Sequence, residues 1–161
     1  MRPPFFITTV MENGKDIFEL EMYGSKFEVK IEYGSYNCNG TMALQLFCKP
    51  NEDEMGYYSQ FGRMAKDPYQ SPYGIATVNL PESESLPLNE QFVDENNLPG
   101  IGKWLKEKGI AEPTGMAARS GYCQYPAYRF NVPEEALEKI RTARAEIAHA
   151  REIQQGKGPR K

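Results

Sequence analysis

The chain has 161 residues, 40% of them hydrophobic and 12% aromatic, which suffices for one packed domain and excludes two large ones. Its 25% charged fraction is that of a folded rather than a disordered protein, and no segment approaches the roughly 18 apolar residues of a membrane span. The net charge of -3 is uneven: residues 133–161 carry seven basic and five acidic side chains, and the rest carry 12 and 17, so the body lacks the basic excess of a protein that tracks duplex DNA or RNA.

In chain order, residues 1–12 hold a proline pair and an early glutamate where a signal peptide would be apolar, and read as the first strand of a cytoplasmic protein. Alternation over 16–23 and 26–33 predicts an antiparallel hairpin turning at Gly24-Ser25. A third strand is expected over 41–48, then a long Tyr-, Gly- and Met-containing connection over 49–73, a length uncommon for a loop unless it is functional. A strand over 74–80 ends at Pro81, and 82–89 reads as a polar loop. Leu98, Ile101 and Leu105 mark a short helix closed by Gly109, with Trp104 beside the stripe as a core residue. A strand over 125–130 follows a Gly-rich turn, and Pro133 opens a helix running to about Gln155. Its seam of Ala136, Ile140, Ala143, Ile147 and Ala150 either docks on the sheet or pairs with another subunit, and 156–161 form a basic, unstructured tail. The expected fold is α+β: an antiparallel sheet over 1–132 with a short packed helix, then the long C-terminal helix over 133–155.

The chemistry available is narrow. The only histidine, His149, falls late in a charged helix, and Cys38, Cys48 and Cys123 lack metal-site spacing, so no metal, cofactor or Ser–His or Cys–His catalysis is expected. Gly100-Ile101-Gly102-Lys103 has Trp104 where a phosphate loop needs Ser or Thr. Asn96, Asn97 and the amides of the following helix start could face an anion, or the helix is simply capped by Asn. The densest set of ligand-type residues is Arg119-Ser120-Gly121-Tyr122-Cys123-Gln124-Tyr125, and Phe92 with Asp94, Asn96 and Asn97 forms a second. Arginine supplies a planar fork for phosphate and a surface for stacking, and aromatic rings supply flat faces. Composition alone favours Phe92 and Tyr125 as core residues and Arg119 as a surface charge.

Three stretches, residues 73–81, 92–97 and 119–130, carry a resemblance whose match spans roughly residues 26–131. In order and spacing they resemble a family of small phage and mobile-element proteins whose domain has no assigned function. They also look like the phage anti-Thoeris sponge proteins, which bind the cyclic ADP-ribose signal of bacterial TIR-domain immune enzymes and hold it without cleaving it. The resemblance implies a homo-oligomer, dimer or hexamer, with pockets between subunits that hold a messenger such as 1″–3′ glycocyclic ADP-ribose. Adenine would stack between Phe92 and Arg119, Asn96 and Asn97 would meet ribose or diphosphate, and Ser120 and Tyr122 would complete the site. Relatives of this kind also hold cyclic oligonucleotides at separate sites. The insertion around 49–72 and the helix after Pro133 depart from the compact pattern.

The expected function is therefore sequestration of a nucleotide immune signal by a non-enzymatic protein in the host cytoplasm, with no membrane or duplex nucleic-acid partner. The alternative is a small inhibitor that occludes a host defence protein, with Tyr57, Tyr58, Phe61 and Tyr69 as interface anchors.

Overall fold

Alternating apolar and charged residues build the first of two antiparallel sheets. The structure, a computed structural model, describes residues 5–7, 17–49, 69 and 71–156. Strand β1 (Phe5–Ile7) falls within the predicted first strand. Strands β2 (Ile17–Met22) and β3 (Ser25–Ser35) form the predicted hairpin, which buries Leu20, Met22, Val29, Ile31 and Tyr33. Its turn is Tyr23-Gly24 rather than Gly24-Ser25: both residues have positive φ, 52° and 82°, as the two-residue turn that follows the strand twist requires. The Tyr23 hydroxyl donates to Asn97 O at 2.8 Å. Strand β4 (Met42–Cys48) matches the third predicted strand, and β5 (Ser71–Ile75) completes the order β1-β3-β4-β5, with β2 also on β3. Most of the predicted 49–73 connection, with Tyr57, Tyr58 and Phe61, lies outside the described residues. Tyr69 is buried and donates to Glu28 at 2.8 Å, so it is not an exposed anchor.

The single strand predicted over 74–80 is two. The chain leaves the first sheet after β5, passes through fully buried Ala76, and enters a second sheet as β6 (Thr77–Val78). Ala76 ties the sheets together, its N–H donating to Leu44 O and its carbonyl accepting from Asp94 N, both at 2.9 Å. The second sheet has the order β6-β7-β9-β8, with β7 (Glu90–Val93), β8 (Ala111–Ser120) and β9 (Cys123–Phe130). Within the expected polar loop, Pro81–Ser85 form a 3-10 helix. The sheets share one large core, and Leu80, Leu86, Phe92 and Ala127 make a second, smaller one.

Buried Gln91 of β7 fastens the two layers. Its Nε2 donates to Met42 O at 2.9 Å and Thr41 Oγ1 at 3.1 Å, and its Oε1 accepts from Ser83 Oγ at 2.6 Å and Phe92 N at 3.0 Å. All its polar atoms are thereby satisfied away from water, as burial requires.

Helix α1 (Ile101–Glu107) starts later than the Leu98 stripe suggests, because Pro99 and Gly100, the latter at φ 86°, precede it. Leu98, Ile101 and Leu105 are nevertheless all buried. Gly109, at φ 73°, ends the helix: Ile110 N bonds Leu105 O at 2.9 Å and Gly109 N bonds Lys106 O at 3.1 Å, the paired pattern of a left-handed C-terminus. Trp104 is a core residue as expected, its Nε1 donating to Glu19 O at 2.7 Å and its ring meeting Phe18 edge-on.

Helix α2 (Glu134–Gly156) agrees with the predicted C-terminal helix, and residues 157–161 of the expected tail lie outside the described residues. Its seam docks on the chain's own body: Ala136 and Ile140 are buried, Ala143 and Ile147 half-buried, and Ala150 exposed. Arg144 donates to Leu86 O at 3.0 Å and Glu84 O at 2.8 Å, and Arg151 pairs with Glu84 at 2.9 Å while reaching Cys38 O at 3.0 Å. The Arg151 bond holds the Glu84 carboxyl below its ordinary value near 4.5. A carboxyl with a lowered folded value stabilises the fold above the unfolded value, and that contribution is lost as pH falls through the folded one. Arg151→Gln is therefore expected to be less stable than the parent in urea at pH 7, with the difference shrinking as the pH falls below the ordinary carboxyl value and through the lower folded one. A difference that persists in full at low pH would mean that Arg151 acts through its bond to Cys38 O rather than through the Glu84 pair.

Candidate inter-sheet cleft

A cavity of about 600 Å³ opens where the chain changes sheets, lined by Tyr73, Gly74 and Ile75 of β5, Thr77 and Val78 of β6, Asn79, Tyr36, and the Asp94, Asn97 and Leu98 turn after β7. This volume falls within the ~300–1,000 Å³ range of small-molecule sites. Its polar groups are held from behind. The Tyr36 hydroxyl lies 2.9 Å from Thr77 Oγ1 and 3.1 Å from Thr77 O, and burial pushes the phenol well above its usual range, so it stays protonated. Asn79 accepts from Asn39 Nδ2 at 2.9 Å and donates to Cys38 Sγ at 3.0 Å. Asp94 Oδ1 accepts from Asn97 N at 3.1 Å and Oδ2 from Asn97 Nδ2 at 2.8 Å, a side-chain turn that aims both residues along one wall. A second hollow of about 490 Å³, lined by Phe27, Glu28, Cys48, Lys49 and Tyr73, shares Tyr73 with the first.

Of the six residues singled out in the sequence, the cleft contains Asn97. Asn96 is exposed in the same turn and is not part of the lining. Phe92 is only 2% exposed, inside the small core, so within one chain it offers no face to a ligand. Arg119, Ser120 and Tyr122 are exposed on the β8–β9 hairpin, with Tyr122 in its turn. Phe92 lies opposite Ala127 of β9 and Arg119 opposite Gln124, three residues away. Successive side chains of a strand point to opposite faces, so this odd offset puts Phe92 and Arg119 on opposite sides of the sheet. They form no aromatic–guanidinium sandwich in one chain, and the composition-only reading of both residues agrees with their placement.

The amides at the start of α1 are also occupied. Glu95 Oε1 accepts from Gly100 N at 2.9 Å and Oε2 from Gly102 N at 2.7 Å, so a carboxylate of the chain fills the place considered for an external anion. Gly102 permits this approach, since a Cβ there would come within 2.6 Å of Glu95 Oε2. His149 is exposed on α2, outside the cleft lining, and none of the three cysteines forms a disulfide. Among the described residues no three His, Cys, Asp or Glu side chains gather as a metal-ion ligand set. No described helix is long and apolar enough to cross a membrane.

The cleft residues missed as a set were partly visible in the sequence. Tyr73, Thr77, Val78 and Asn79 fall in the first stretch that carried the resemblance, and Asp94 in the second. Tyr36 gave no signal, being one tyrosine between the predicted strands 26–33 and 41–48.

The fold and site together define a two-sheet α+β protein with a cleft at the crossing between sheets. The chain belongs to the DUF4313 family, a domain of unknown function, whose model matches residues 30–149 and so takes in the whole cleft, the β8–β9 hairpin and most of α2. No curated protein and no solved structure matches the chain.

Proposed function

We propose that this protein binds and holds a nucleotide-type signal molecule in the inter-sheet cleft without cleaving it, as an anti-defence protein of a phage or mobile element in the host cytoplasm. The observation that carries the reading is the cleft itself: about 600 Å³, with Tyr36, Tyr73, Asp94 and Asn97 converging on it. The half-buried Tyr73 ring gives a surface for a base, and fixed amide and carboxylate groups give its orientation, which is what capture without turnover needs. The resemblance to sponge proteins supplies the ligand class, a cyclic ADP-ribose isomer, and the Asn97 position is common to that resemblance and to the cleft.

The purified protein is expected to deplete one member of a panel of cyclic ADP-ribose isomers and cyclic oligonucleotides, and to release it intact on heat denaturation. Asn97→Ala is expected to reduce capture at least tenfold with only a modest fall in thermal midpoint, since it removes one hydrogen bond to Asp94 at an exposed position. Recovery of a cleaved product would make the protein an enzyme. No depletion of any compound would favour the occlusion of a host protein instead, for which Tyr23, Met116, Tyr122 and Ile153 are exposed among the described residues.

A further inference from the structure

Among the described residues the cleft lining contains one formally charged side chain, Asp94, and no Lys, Arg or His. From this we infer that the cleft takes the uncharged, donor-bearing end of its ligand, the nucleobase amine and ribose hydroxyls, and leaves the phosphates outside; the inference rests on the nucleotide reading above. Asp94 is 9% exposed and spends one acceptor position of each oxygen on Asn97. A carboxylate has about four such positions, so each oxygen keeps one for an incoming O–H or N–H. The neighbouring polar atoms do not compensate the charge. Thr77 Oγ1 is engaged with the Tyr36 hydroxyl and Leu44 N, and Asn79 Oδ1 is filled by Asn39 and Thr41. A phosphate placed in the cleft would face a partly desolvated like charge without a cation, whereas a ribose diol or a base amine would donate to it. Lys49 lines the other hollow, and Arg119 lies on the β8–β9 hairpin, so neither joins the cleft's lining.

Calorimetric titration of the full chain with the four ribonucleosides, their 5′-diphosphates and inorganic pyrophosphate tests this. The best-bound nucleoside is expected to bind within about tenfold of its diphosphate, and millimolar pyrophosphate is expected not to displace it. Asp94→Asn removes the charge while keeping an acceptor oxygen, and is expected to weaken the nucleoside at least tenfold and to lessen the discrimination against pyrophosphate. Asn97→Asp leaves the backbone N–H bond to Asp94 in place, adds a second negative charge, and is expected to weaken the diphosphate more than the nucleoside. If a diphosphate binds more than a hundredfold tighter than its nucleoside, or pyrophosphate competes, the inference fails and the sequestration reading stands. If no nucleoside, no diphosphate and none of the cyclic messengers binds, the sequestration reading fails and the inference falls with it.

Discussion

Phe92→Ala is expected to lower the unfolding free energy by about 3–4 kcal/mol, in the range of buried Phe truncations, measured by urea denaturation. The ring is enclosed by Leu80, Leu86 and Ala127, with Val78, Ala118 and Tyr125 against the rim of that cluster. So small a core has few neighbours able to collapse into the space, and the change falls next to Gln91, whose bonds join the sheets. Arg119→Ala, on an exposed strand position, is expected to stay within about 0.5 kcal/mol of the parent. The two positions treated as halves of one stacking site thus separate into a structural residue and a surface residue. Equal stability of the two variants, with ligand capture lost in both, would restore the stacking site.

Gly40→Ala should be comparably damaging for a different reason. Gly40 has φ 75°, which a side chain adopts at a cost of about 1–2 kcal/mol, and its Cβ would stand 2.8 Å from Arg144 Cα and 2.9 Å from Arg144 N. Backbone, not the end of a flexible side chain, is in the way, so helix α2 must move. Overpacking of this kind costs about 1–3 kcal/mol more. The total, about 2–5 kcal/mol, should appear as a lower urea midpoint and as faster amide exchange along α2. Gly115→Ala is the control: its φ is 91°, but a Cβ there meets nothing within 4 Å, so only the conformational part should be lost. Equal losses at the two positions would show that the approach of α2 to Gly40 contributes nothing.

Much of the architecture was legible because it rests on short-range pattern. The β2–β3 alternation, the Leu98, Ile101 and Leu105 stripe with Gly109 at its end, and the Ala136–Ile140 seam each carry their signal within a few residues. What escaped depends on partners distant in sequence. Residues 74–80 read as one strand because no Gly or Pro interrupts them after Gly74, and only the bonds of Ala76 to Leu44 and Asp94 divide them between two sheets. Strand β8 is rich in Ala, Gly, Pro and Glu, which have little β propensity, and it is a strand because β9 pairs with it. The cleft draws on positions 36, 73, 77, 79, 94 and 97, which no local spacing joins. Of two residues close in sequence, Asn97 lies in the cleft lining and Phe92 in the small core, because adjacency along a chain does not say which face of a strand a residue occupies.

The outer side of β8 pairs with no described strand, and such an edge ordinarily invites a further strand from any chain that can supply one. Here Pro113 has no N–H to offer, and the register with β9 breaks between Pro113 and Ala117, with Gly115 in a left-handed conformation between them. A newcomer would find a missing donor and a kinked ladder. The sheet is therefore blunted at this edge by its own sequence, against strand addition and the aggregation it can start.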